Sequence, residues 1–139
     1  MNALLDLLEH TIEEMGFSAP KYVLVDDSLE KAIKLMQEHK IGSALVIDDK
    51  VHLKGILTER DVLMKVAARE ISLQDKVSQF MTKNPMTVKT NESVFIALAI
   101  MSREGFRHLP IVNFDGKPVG IISMKDVMGY FANHLHERI

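Results

Sequence analysis

Two short stretches of the chain hold residue types that could do chemistry at a repeated spacing. Thr58 stands three residues before Asp61, and Ser123 three residues before Asp126, within GILTERDV (55–62) and GIISMKDV (120–127). One use of this spacing is a capping box, in which the hydroxyl bonds the N3 amide of a helix and the acid bonds back to the cap's own amide. A cap does not by itself require glycine and two branched apolar residues ahead of it. A second use is recognition, because one carboxylate can accept from both hydroxyls of a vicinal diol, as acids do on ribose in nucleotide folds. The two uses are compatible. Gly55 and Gly120 would allow backbone or ligand to approach closely near the start of a strand.

Cations are distributed unequally around these stretches. Arg107 and His108 precede the run LPIV, where the matching place in the first stretch has Gly42 and Ser43. A guanidinium offers a planar fork of donors suited to phosphate oxygens. Arg60 and Lys125 each precede the aspartate in the first turn of an expected helix, where the helix dipole disfavours positive charge. A bound anion would compensate; the alternative is a solvated surface charge.

Other chemistry finds little support. The chain has no cysteine, which excludes disulfides, thiolate nucleophiles and cysteine zinc sites. Its six histidines show no ligand spacing, and His134 and His136 would diverge on a helix. No nucleophile elbow, P-loop or Rossmann glycine pattern occurs, so neither catalytic residues nor a metal site are expected. A net charge of -2 with mixed signs argues against nucleic acid. No apolar run reaches the roughly 20 residues of a membrane span. The opening MNALLDLLEH lacks the features of a signal peptide. A cytoplasmic protein is expected.

The elements that must position these residues are themselves duplicated. Shifting the sequence by 65 positions brings Pro20 onto Pro85, Val23 onto Val88, Ser28 onto Ser93, Ala32 onto Ala97, Met36 onto Met101 and Gly55 onto Gly120, without a gap. In each copy a short extended piece follows a proline: KYVLV, then MTVKT. Ser28 and Ser93 are candidate caps of helices whose apolar residues recur at helical spacing. SALVI and LPIVN are buried-strand runs, DDK and FDGK are turns, and KGILT and VGIIS are return strands. A last helix starts at Thr58 or Ser123. The predicted order is strand, helix, strand, strand, helix, written twice.

This doubled unit, closed each time by Gly-apolar-apolar-Ser/Thr-x-x-Asp, resembles the CBS domain (named after cystathionine β-synthase), and two in tandem resemble a CBS pair or Bateman module. The resemblance covers about residues 17 to 133. It implies an α+β fold of two β-α-β-β-α units about a pseudo-twofold axis, with clefts between them. In many members those clefts take AMP, ADP, ATP or S-adenosylmethionine and so regulate a partner protein; a homodimer is also implied. Carried over by residue, it implies ribose contacts from Thr58, Asp61, Ser123 and Asp126. It also implies phosphate contacts from Arg107 and His108, with Arg60 and Lys125 as further candidates. The adenine slot would be lined by Tyr22, Val23, Val25, Ser43 and Ala44 in one copy, and by Thr87, Val88, Leu109 and Pro110 in the other. A structural or dimerising module with empty clefts is the rival reading.

The predicted organisation is an N-terminal helix over residues 1–16, a first unit over 17–69, a connector over 70–82 and a second unit over 83–139. Leu4, Leu5, Leu8, Ile12 and Met15 form one stripe of the N-terminal helix. That stripe would cover the chain's own core, or alternatively a second subunit. EISLQDKVSQFMT reads as a partly ordered connector.

Overall fold

The computed structural model describes residues 3 to 136; residues 1, 2 and 137–139, at the ends of the two outermost predicted segments, lie outside the described residues. The elements run α1 (Ala3–Glu9), α2 (Ile12–Met15), β1 (Tyr22–Leu24), α3 (Leu29–His39), β2 (Ser43–Ile47), β3 (Leu53–Thr58) and α4 (Glu59–Asp61). A π turn (Val62–Val66) and a 3-10 turn (Val77–Gln79) lead to β4 (Thr82–Lys83), α5 (Val94–Glu104), β5 (His108–Val112), β6 (Pro118–Ser123) and α6 (Met124–His136). The fold is mixed α+β. It divides into two compact units, a first of residues 20–85 with 116–118, and a second of residues 1–19, 86–115 and 119–139.

In the first unit a four-stranded sheet is ordered β1-β2-β3-β4. β1 runs parallel to β2 with Val23 opposite Val46, and β2 runs antiparallel to β3 with Ser43 opposite Thr58. The Asp48 carboxylate shapes the β2–β3 turn by accepting from the amides of Lys50 (2.9 Å) and His52 (2.8 Å). The His52 amide, with Lys50's behind it, holds the Asp48 carboxyl below its ordinary value. β2 is buried along its whole length. Ala44 and Val46 join Val23, Leu29, Ala32, Met36 and Leu57 in one apolar core. α3 starts at Ser28, whose side chain accepts from the Lys31 amide (3.1 Å), and ends at Lys40 in the left-handed region. The connector contributes more than its sequence suggests. Val77 and Phe80 are buried in this core, and β4 pairs antiparallel with β3, setting Thr82 opposite Ile56.

The second unit repeats the plan in reduced form. β5 pairs with β6, while the counterparts of β1 and β4 are single bridges, Val88 to Ile111 and Ser18 to Ile121. α5 starts at Ser93, which accepts from the Ile96 amide (3.2 Å), and ends at Gly105, left-handed like Lys40. Its core holds Val88, Val94, Ala97, Met101, Leu109, Ile111, Ile122 and Val127, together with Ile12 from the N-terminal segment. Residues 10–13 are stitched to the start of α5 and the turn before it: Ile12 N–H to Glu92 C=O (2.9 Å), Glu13 N–H to Thr90 C=O (3.0 Å) and Val94 N–H to His10 C=O (2.8 Å). The N-terminal stripe therefore covers this chain's own core at Ile12, whereas Leu4 and Leu5 stay exposed. His10 Nδ1 meets the hydroxyl of Tyr130 on α6, and burial together with the charge of Glu14 raises the Tyr130 pKa.

Each signature glycine sits beneath a crossing segment. A Cβ on Gly55 would lie 2.9 Å from the Thr82 carbonyl oxygen and overlap Met81. A Cβ on Gly120 would lie 2.9 Å from the Ser18 carbonyl oxygen and overlap the Phe17 ring. The close approach that these glycines permit is by the chain's own backbone.

Candidate functional site

Both hydroxyl–aspartate pairs form the start of a helix. In the first unit Thr58 Oγ1 accepts from the Asp61 amide (3.1 Å), while Asp61 Oδ2 accepts from the Thr58 amide (3.0 Å) and from the Thr58 hydroxyl (3.1 Å). In the second unit Ser123 Oγ accepts from the Asp126 amide (3.0 Å), and Asp126 Oδ2 accepts from the Ser123 amide (3.0 Å). The capping reading of the spacing is thus realised twice. It occupies one oxygen of each carboxylate and leaves the other to be decided by surroundings.

Those surroundings differ. Asp61 is buried at 8% exposure, and its Oδ1 takes an ion pair from Lys65 Nζ at 3.1 Å. Lys65 is anchored a second time, donating to the Phe80 carbonyl (3.0 Å). Downstream the helix widens into the π turn over Val62–Val66, closed by Ala67 N–H to Val62 C=O (3.0 Å). Asp126 is exposed, and no cation pairs with it among the described residues. Its helix continues as regular α-helix to His136.

Of the cations named from the sequence, Arg107, His108 and Lys125 lie on segments that meet at the second pair, and Arg60 lies at the first. The amide of Met124, first residue of α6, donates to the Arg107 carbonyl (2.9 Å), as Glu59 does to Gly42 (3.0 Å) in the first unit. This bond brings the start of β5, with Arg107 and His108, to the start of α6, with Ser123, Lys125 and Asp126. Arg107 and Lys125 are exposed and form no ion pair among the described residues; Arg60 shares that condition at the first pair.

The residues named for the adenine slot divide between those inside the two cores and those outside them. Val23 and Ala44 lie in the first core, and Val88 and Leu109 in the second. Tyr22 is exposed, Val25 is half-buried and packs against the first core, Thr87 is half-buried, and Ser43 and Pro110 are buried outside those core clusters. A residue that sequence reasoning passed over is Lys65, four positions after Asp61 at the spacing of a helical ion pair; that spacing was the available signal. A separate cavity of about 440 Å³ lies on the helical side of the first unit, among Ile33, Met36, Gln37, Lys40, Ile41, Glu59 and Val62. It includes neither Thr58 nor Asp61. Among the described residues, no group of three or more metal-ligating side chains occurs, and no helix is long and apolar enough to cross a membrane.

The CBS domain family matches the chain twice, over residues 12–68 and 77–133. The chain belongs to the CBS domain family. Both matches reach into the crossing segments, taking in Ile12 of α2 and Val77 of the 3-10 turn. An uncharacterised 17.7 kDa protein of Acidianus ambivalens is 41% identical over 100 residues, covering 72% of this chain and 60% of that protein. The chain thus spans about three-fifths of that relative's length. Among solved structures, a putative signal-transduction protein with CBS domains from Burkholderia ambifaria is 32% identical with a TM-score of 0.80, covering 89% of this chain and 95% of that one. The protein CBSX2, solved in complex with AMP, shares the fold at a TM-score of 0.80 and 24% identity, over 89% of this chain and 97% of that one. The duplicated β-α-β-β-α plan is therefore that of a CBS pair.

Proposed function

We propose that this CBS pair is a cytoplasmic regulatory module that binds an adenosine-containing ligand, such as AMP, ADP, ATP or S-adenosylmethionine, and signals its occupancy to a partner protein. The observation that carries this reading is the second capping box. It spends Asp126 Oδ2 on the helix and leaves Oδ1 without a partner among the described residues, at a helix start that carries Lys125 and is tied by a backbone bond to Arg107. A carboxylate next to cations suits a sugar diol carrying a phosphate. For a base slot, Tyr22 and Ser43 supply side chains in the first unit and Thr87 and Pro110 in the second, with neighbouring backbone groups at the edge. The ligand acts by differential affinity for two arrangements of the protein, which is a population shift rather than turnover.

Isothermal titration of the full chain with AMP, ADP, ATP and S-adenosylmethionine tests the reading. At least one should bind, and Asp126→Asn, which preserves the shape of the cap, should weaken it by about 10- to 100-fold, the worth of a hydrogen bond to a charged group. Heat-free titrations with every ligand would remove the proposal.

A specific observation favours a second role in self-association. Leu63 (68% exposed), Met64 (58%) and Met128 (62%) lie on the closing helical segments, Leu63 and Met128 at matching positions of the two copies. Exposed large apolar side chains at the same helical position of each unit are candidates for an interaction surface. The double variant Leu63→Lys, Met128→Lys should sediment as a monomer where the unmodified chain sediments as a homodimer. Equal sedimentation coefficients would refute the role of these helices.

A further inference from the structure

We propose that Lys65 occupies the carboxylate of the first copy from within, so that the adenosyl ligand is taken at Asp126 and not at Asp61. This rests on the reading that these aspartates recognise a ribose diol. Holding two hydroxyls requires two acceptor positions on one carboxylate, which offers about four lone pairs in all. At Asp61 the Thr58 amide and hydroxyl use both positions on Oδ2, and Lys65 Nζ uses one on Oδ1 at 3.1 Å. One position remains, on a side chain that is nearly buried. At Asp126 the Ser123 amide uses one position on Oδ2, and Oδ1 carries no partner among the described residues.

The difference traces to one pair of matched positions. Lys65 corresponds to Tyr130 under the 65-residue shift, and Tyr130 turns its hydroxyl to His10 and packs its ring on His134 at 4.3 Å. No cation therefore stands four residues after Asp126. Lys65 is also held in place by the Phe80 carbonyl (3.0 Å), so moving it aside breaks two charge-assisted bonds rather than one. Phosphate chemistry leans the same way, since Arg107 corresponds to Gly42 under the 65-residue shift and only the second copy has a guanidinium there. Lys65 is a specificity-determining residue in this scheme. It acts as a built-in competitor for the diol.

The test is isothermal titration of the full chain with AMP, ATP and S-adenosylmethionine in parallel, on the unmodified protein, Asp126→Asn, Lys65→Met and the Asp126→Asn, Lys65→Met double variant. Lys65→Gln is run beside Lys65→Met, because it removes the charge while keeping a polar tip, and thermal melting reports folding of each. The unmodified chain should take one equivalent, and Asp126→Asn should bind about 10- to 100-fold more weakly. Removing Lys65 in that background should recover most of the loss, and Lys65→Met alone should take two equivalents. Two equivalents on the unmodified chain, or no recovery in folded double variants of either kind, overturns the role of Lys65 while the ligand reading stands. Absence of binding by all proteins overturns both.

Discussion

Gly120→Ala should lower the thermal unfolding midpoint by about 10 °C, equivalent to roughly 3 kcal/mol of overpacking in a chain of this size. The added Cβ would lie 2.9 Å from the Ser18 carbonyl and overlap the Phe17 ring. A ring has few ways to yield, and the Ser18 carbonyl sits beside the bridge to Ile121. Relief therefore requires moving the whole crossing segment. Gly55→Ala meets the same carbonyl distance at Thr82, but its other neighbour is the flexible Met81 side chain. It should cost less, about 1 to 2 kcal/mol. Differential scanning calorimetry of both variants checks the ordering, and an unchanged midpoint for Gly120→Ala would contradict the crossing geometry. Neither change touches the aspartates, so the effect separates the packing role of the signature from its ligand role.

Ile12→Ala should cost about 3 kcal/mol, in the range of large-to-small core substitutions. Ile12 is fully buried among Val88, Val94, Ile111 and Ile122, although it lies more than seventy residues before them in sequence. The backbone bonds of Ile12 to Glu92 and of Val94 to His10 hold it there. Leu5→Ala, on the same predicted stripe but half exposed, should change stability by no more than about 0.5 kcal/mol. Urea unfolding of the two variants distinguishes an integral segment from an appended helix. Equal, small losses would mean that residues 1–19 are dispensable to the second unit. A large loss at Ile12 alone would also make truncation before residue 13 destabilising.

Much of this protein was legible without coordinates. The 65-residue repeat, the element order, the caps at Ser28, Ser93, Thr58 and Ser123, and the need for glycine at 55 and 120 all follow from local patterns. Each depends on neighbours within about four residues, or on a comparison of the chain with itself. A capping box closes on its own amides, so Thr58 and Asp61 announce it by spacing. The glycines announced a close approach, but not what approaches.

What only the tertiary structure decided is which unit each crossing segment completes, and how the two carboxylates differ. The apolar stripe of residues 1–15 states that one face must be covered; it does not name the cover, and Ile12 went to the second unit while Val77 and Phe80 went to the first. A strand edge is equally indifferent to its partner until the chain is in place, as with Ser18 against Ile121 and Thr82 against Ile56. Asp61 and Asp126 share a motif, yet one is buried under Lys65, itself tied to Phe80, and the other is exposed. The physical reason is common to all three. Local sequence sets which hydrogen bonds and apolar faces must be satisfied, and non-local packing chooses the groups that satisfy them.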